Sequence, residues 1–112
     1  MQCNIREEVT DFGKVYYINT NTFRFALHYY NDDLSAVYLT SVFVNEKYRG
    51  RGLGNLILSM AEDIAKQHKF ETISLKCKIG STVHDWYKRH GYTDLVIDDE
   101  DNTFIWMKKR LQ

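Results

Sequence analysis

The apolar period of this chain changes between Val44 and Leu53. Upstream, Phe23, Phe25, Leu27 and Tyr29 alternate with Arg24, Ala26, His28 and Tyr30, the period of two that a strand requires. Downstream, Leu53, Leu56, Ile57, Met60, Ala61, Ile64 and Ala65 recur at helical spacing and define one face of a helix that should end near His68. The junction reads "YRGRGLG", Tyr48 to Gly54, and holds three of the chain's six glycines together with two arginines. A chain that leaves a strand through a glycine turn and enters a long amphipathic helix is neither all-α nor all-β.

The remaining segments fit that constraint. Residues 6–10 and 14–18 flank Asp11-Phe12-Gly13 as a hairpin, and Asn19-Thr20-Asn21 is a turn cluster. Asn31-Asp32-Asp33 turns the chain into a longer strand, 34–44, whose end Val42-Phe43-Val44 is apolar on both faces. Residues 72–77 form another strand. Thr82-Val83-His84-Asp85 fits a capping box that opens a second helix, with Asp85 reaching back to the cap. Gly91 suits the left-handed position that closes it. Residues 92–97 and 103–107 make a last hairpin around Asp98-Asp99-Glu100-Asp101-Asn102. The expected fold class is α+β, a mostly antiparallel central sheet with two helices, in one domain spanning 1–112.

Charge narrows the partners. Fifteen basic residues balance fifteen acidic ones, which argues against a nucleic-acid binder, since such proteins carry a net basic surface. The cysteines, Cys3 and Cys77, have no ligand spacing, and His84 and His90, six apart on a helix, do not make a metal pair, so no metal site is expected. The start, MQCNIREE, has no apolar signal region, and no apolar run approaches membrane-spanning length. The expected location is the cytoplasm.

A helix start leaves backbone N–H groups unpaired and partially positive, and glycines before it let an anion come close. Arg49 and Arg51 add fixed charge, so phosphate is the natural ligand; a tight turn with solvated arginines is the alternative. The P-loop pattern is absent, and G-x-G-x-x-G fails because Ile57 stands at its third glycine.

Arg49-x-x-Gly52-x-Gly54, after Val42-Phe43-Val44-Asn45-Glu46, resembles the acyl-CoA pyrophosphate loop of the GNAT superfamily of N-acyltransferases. "DWYKRHGY", Asp85 to Tyr92, is similar to that family's second helix with its Tyr-x-x-x-Gly-Phe/Tyr ending. The resemblance covers about 34–108. It implies that backbone N–H groups of Arg49, Gly50, Arg51, Gly52, Leu53, Gly54 and Asn55 hold the CoA pyrophosphate. It implies that the Val42-Phe43-Val44 strand end holds the pantetheine arm, through the backbone of Val42 and Val44, where this strand parts from 72–77. Tyr87 matches the family's general acid. A neutral phenol suits protonation of a departing thiolate, whose thiol has a pKa of about 8.5. The implied reaction is acetyl transfer from acetyl-CoA to a primary amine: a protein lysine, an N-terminus or a small amine.

The sequence also departs from the family pattern. Where the family commonly has an Asn that contacts the cofactor, this chain has Gly80, and the Ser81 hydroxyl is the candidate substitute. Tyr38, Thr40, Ser41 and Val42 offer no carboxylate base; His28 on the neighbouring strand is either a base or a structural residue. Residues 1–33 are too short for the two helices that usually wall the acceptor side, so that side is expected to be open or completed by a second copy in a homodimer. The acidic tips Asp32-Asp33 and Asp98-Asp99-Glu100-Asp101 either attract a cationic acceptor or simply turn hairpins. Two readings compete with catalysis: a degenerate member that binds acyl-CoA or a protein without turnover, and a small nucleic-acid binder.

Overall fold

The computed structural model describes residues 3–111; the outermost residues of the expected 1–112 domain lie outside it. The elements run β1 (Cys3–Val9), β2 (Gly13–Thr20), β3 (Phe23–Tyr30), β4 (Asp33–Val44), α1 (Leu53–Gln67), β5 (Thr72–Lys78), α2 (Thr82–Arg89), β6 (Thr93–Ile97) and β7 (Phe104–Arg110). The strands form one seven-stranded sheet in the order β1-β2-β3-β4-β5-β7-β6. Every neighbouring pair is antiparallel except β4 and β5, which are parallel because α1 carries the chain back between them. No α-helix precedes α1 among the described residues; a single 3-10 turn, Glu46–Tyr48, links β4 to the glycine junction, and the first four strands follow one another through short turns.

The core lies on one face of the sheet. Phe25 and Leu27 of β3, Val37 and Leu39 of β4, and Ile73, Leu75 and Cys77 of β5 meet Ile57, Leu58, Ala61 and Ala65 of α1. Full burial of one such aliphatic side chain contributes about 1.5–3 kcal/mol. The helix stripe is turned slightly from the expected one. Leu58 is buried and Leu56 is 38% exposed. The reason is Gly54, which faces the Trp86 indole of α2, so Leu58, one turn later, shares the inward face.

One interruption of the sheet positions the site. The β4–β5 pairing covers only Ala36↔Thr72, Val37↔Ile73 and Tyr38↔Ser74. β5 stays paired with β7 as far as Lys78, so a gap opens between β4 beyond Tyr38 and β5 beyond Ser74. On its other side, β4 keeps its pairing with β3 by a bulge: Ser41, at φ +56°, is the extra residue between the Ala26↔Thr40 and Arg24↔Phe43 pairs.

Some boundaries differ from those expected. The strand β2 runs on through Asn19 and Thr20, and the turn falls at Asn21 and Thr22. The Thr20 hydroxyl makes that turn itself, accepting from the N–H groups of Thr22 and Phe23 and donating to the Phe23 carbonyl. β7 continues past Met107 to Arg110, because Lys108, Lys109 and Arg110 pair with Ser74, Ile73 and Thr72. The cap of α2 is Ser81 rather than Thr82. Its hydroxyl accepts from the His84 N–H at 3.1 Å and donates to the Lys78 carbonyl at 2.7 Å. His84 takes the part expected of Asp85: its Nδ1 accepts the Gly80 N–H at 3.0 Å.

Candidate active site

The glycine junction opens α1 without a side-chain cap. Gly52 is the cap residue, at φ +75°, and Gly50 sits at φ +76°. Both are in the left-handed region, where a side chain is strained. A Cβ built on either would meet nothing within 4 Å, so both face open space. Neither Gly50, Arg51 nor Gly52 gives its N–H to a protein acceptor among the described residues. The first-turn N–H groups of Leu53, Gly54 and Asn55 have no intrahelical acceptor either. Gly54 differs from the other two: its Cβ position lies 3.5 Å from the Trp86 ring, an ordinary contact, so it abuts α2 rather than facing open space.

These residues surround a cavity of about 260 Å³, lined by Val44, Arg49, Gly50, Gly52, Leu53, Gly54 and Asn55 together with Tyr48 and Trp86. Seven of the expected binding residues therefore come together. Arg51 does not line the cavity; it is exposed, with its guanidinium 5.8 Å from the Tyr48 ring centre. Phe43 also lies outside, its ring covered by Arg24 at 4.4 Å and by Arg49 at 5.6 Å. Ser81 is spent on capping α2. Tyr48 and Trp86 were not singled out as binding residues, although each adjoins one that was; their aromatic rings gave no signal separable from core packing.

Arg49 Nε–H donates to the Val44 carbonyl at 3.1 Å and so ties the loop to the end of β4. The Asn45 N–H donates to Thr22 of the β3 side at 2.8 Å. By strand alternation, the backbone groups of Val44 and Val42 face the other way, toward the gap. The gap and the glycine cradle are thus continuous along β4. The donor set, unpaired N–H groups beside open space with no carboxylate, fits a phosphate-bearing chain laid along a strand edge.

Tyr87 lies on the β5 side of this gap. Its ring packs edge-on between Trp86, at 5.2 Å, and Tyr92, at 5.6 Å, beside Cys77 of β5. A C-terminal cap holds it there. The N–H of Gly91, at φ +94°, donates to the Lys88 carbonyl, and that of Tyr92 to the Tyr87 carbonyl, both at 3.1 Å. No hydrogen bond among the described residues uses the Tyr87 hydroxyl, and no sealed side-chain polar atom lacks a partner, so the hydroxyl keeps some exposure to solvent; Tyr87 itself does not line the glycine cavity. Burial, and secondarily the Cys77 thiol, raise its pKa above that of an ordinary phenol, so it holds its proton throughout the neutral range.

A second histidine joins the helices. His90 Nδ1 donates to the Trp86 carbonyl at 2.8 Å, and its Nε2 meets the Asn55 side chain at 2.9 Å, binding the first turn of α1 to the end of α2. His84 is buried, with Nε2 2.7 Å from Asp94 of β6; because its Nδ1 accepts the Gly80 N–H, Nε2 carries the proton and donates. The acidic tips are turn-formers. Asp33 accepts from Ser35, Asp98 from Trp106 Nε1, and Asp101 from Thr103. His28 faces away from the helices, packed against Tyr30 and Tyr38, and burial lowers its pKa. No group of three or more possible metal ligands occurs among the described residues, and no described helix is long and apolar enough to cross a membrane.

A glycine turn at a helix start beside a gap between two parallel strands is the arrangement expected of an acyl-CoA-dependent acyltransferase, and comparison with known proteins gives that class. The chain belongs to the acetyltransferase (GNAT) family, whose profile matches residues 10–92. Its fold is also that of several solved structures. A proposed acyl-CoA N-acyltransferase from Klebsiella pneumoniae superposes with a TM-score of 0.72 at 17% identity, over 99% of each chain. A GNAT family acetyltransferase from Elizabethkingia anophelis, solved with acetyl-CoA bound, gives 0.70 at 15% identity over 96% of this chain and 97% of that one. An acetyltransferase from Streptococcus agalactiae gives 0.66 at 22% identity, over 88% of this chain and 66% of the other. A sequence search of curated proteins gives no match.

Proposed function

We propose that this chain, acting as a single domain, transfers an acetyl group from acetyl-CoA to a primary amine. One observation carries the reading: unpaired N–H groups at the start of α1 lead along β4 into a gap flanked by a protonated tyrosine. The pyrophosphate would sit on the N–H groups from Gly50 to Asn55, and the pantetheine arm would pair with Val42 and Val44 as an extra strand. The amine lone pair attacks the thioester carbonyl carbon, forming the C–N bond. The C–S bond then breaks, and the Tyr87 hydroxyl gives its proton to the departing thiolate. His28, uncharged near neutrality because of its burial, is the candidate acceptor of the proton that the amine gives up.

Binding without turnover is the weaker alternative, because the Tyr87 hydroxyl has no structural bond to explain it. The test is thiol release from acetyl-CoA in the presence of an amine panel, by the parent and by Tyr87→Phe. Release by the parent alone supports transfer; equal release by both removes Tyr87 from the chemistry.

Two further expectations belong to this reading. The edge strands β1 and β6 carry exposed apolar residues, among them Ile5, Val9, Leu95, Val96 and Ile97, which favours a homodimer. The free thiols of Cys3 and Cys77 suit a reducing compartment such as the cytoplasm.

A further inference from the structure

The sheet face away from the helices holds a second cavity, of about 430 Å³, at the apex of the β4–β5 gap. Its floor includes Tyr38 and Ser74, the last pair before the strands part, and Thr40 just beyond them. The first cavity, at the glycine junction, reaches the same gap at Val44 from the helix side. A thioester lying in the gap is therefore accessible from this second cavity.

The walls are aromatic. Tyr38 stands edge-on to Tyr30 at 5.5 Å and to Trp106 at 5.8 Å, with interplanar angles of 68° and 85°. Such edge-to-face contacts hold the three rings in fixed orientation along the cavity wall. Leu95 and Val96 of β6 close the far side, each about half exposed. No Asp, Glu, Lys or Arg lines the cavity. The nearby cation, Lys76, is 5.4 Å from the Trp106 ring centre and paired with Asp98 at 3.6 Å. Of the tip carboxylates, Asp33, Asp98 and Asp101 are hydrogen-bonded, and Asp33 and Asp32 lie near enough to Tyr38 to add to the effect of burial in raising its pKa, though neither lines the cavity.

We propose that this cavity is the acceptor site and that it selects a primary amine carried on a single apolar or aromatic body, in preference to a polyamine or a lysine in a charged peptide. The proposal rests on the acyltransferase reading for its chemistry. A multiply charged acceptor would bring charges against walls that offer no carboxylate, and their desolvation would go uncompensated. A flat apolar body displaces water from these aromatic walls, and one amine at the inner end meets the gap, with His28 also lining the cavity.

The chain's two tryptophans separate the two sites: Trp86 lines the glycine cavity and Trp106 the aromatic one. Trp86→Phe leaves Trp106 as the sole indole, and Trp106→Phe leaves Trp86. With CoA present, 2-phenylethylamine should change Trp106 emission saturably, at a concentration roughly tenfold below any effect of spermidine or a lysine tetrapeptide, the factor one aromatic contact supplies. Calorimetry on the parent protein with the same three amines gives the same ranking without a variant. Equal or tighter binding of spermidine or the lysine peptide, or no saturable binding of phenylethylamine, overturns the proposal. CoA binding is read independently from Trp86 emission in Trp106→Phe. If that is absent while phenylethylamine still binds, the acyltransferase reading fails and the cavity's preference stands.

Discussion

Gly52→Ala tests the glycine cradle most directly, and its effects separate into two terms. The first is strain. Gly52 sits at φ +75°, where an L side chain costs about 1–2 kcal/mol. For a small domain that lowers Tm by roughly 4–8 °C per kcal/mol. The second is lost binding. The new Cβ projects into the open space where an anion approaches the unpaired N–H groups. Displacing one charge-assisted hydrogen bond costs about 1.5–3 kcal/mol, or about 10–100-fold in affinity. Gly80→Ala is the matched control. Its φ is +74°, its Cβ would also meet nothing within 4 Å, and it lies outside the glycine cavity. In a thermal melt with acetyl-CoA at 100 times the parent Kd, the parent gains about 2.7 kcal/mol. A variant weakened 100-fold gains only about 0.4 kcal/mol at the same concentration. Gly80→Ala should start as destabilised as Gly52→Ala and yet recover the full ligand shift. Equal shifts in both variants, or none in the parent, would refute the assignment of the cradle.

Tyr87→Phe keeps the ring between Trp86 and Tyr92, so melting should change little, while turnover falls on the order of 10²–10⁴-fold with CoA affinity intact. Because burial raises the Tyr87 pKa, its acid form persists above that of an ordinary phenol, and a kcat–pH profile should show no loss assignable to Tyr87 at or below pH about 10. His28 faces Tyr30 on its own strand and Tyr38 on β4, with Val15 opposite on β2; its lowered pKa sets an acid limb in kcat/KM centred below about 6.5, which His28→Asn should abolish. Light scattering that shows a monomer at high concentration would remove the homodimer.

What was legible in the sequence followed from local chemistry. The period change at Leu53 located α1 to within a residue, because a 15-residue amphipathic stripe and a glycine start leave little alternative. Gly91 closed α2 as expected, because its φ of +94° is one that other residues resist. The end of β7 was hidden because Lys108, Lys109 and Arg110 read as a solvated tail; only the β5 partner makes them strand. The α2 cap was misread by one residue because Ser81 and Thr82 are equivalent as sequence. The buried His84 decided between them, since its imidazole accepts the Gly80 N–H only when Ser81 is the cap. The second cavity was invisible for a similar reason. Tyr30 and Tyr38 share the β3–β4 hairpin, but Trp106 is distant in the chain and joins them only because β7 lies beside β5 in the sheet.

The three glycines of the junction do different work, and the difference explains how so short a chain holds its chemistry in place. Gly50 and Gly52 supply backbone angles and open space for an anion. Gly54 needs no unusual angle; inside a helix it costs about 1 kcal/mol relative to alanine. A Cβ there would lie 3.5 Å from the Trp86 indole, an ordinary contact, so the position has room for alanine and little more. Trp86 then stacks against His90 at 4.1 Å and stands against Tyr87 at 5.2 Å. His90 returns to α1 through Asn55. The first turn of α1, with its unpaired N–H groups, and the last turn of α2, which carries Tyr87, the proposed acid, are therefore one packed unit. Tyr87 is positioned by the same contacts that shape the cradle, without helices elsewhere in the fold. A side chain longer than alanine at Gly54 would push Trp86 away and move Tyr87 with it, so cradle and acid would be lost together although neither had been substituted.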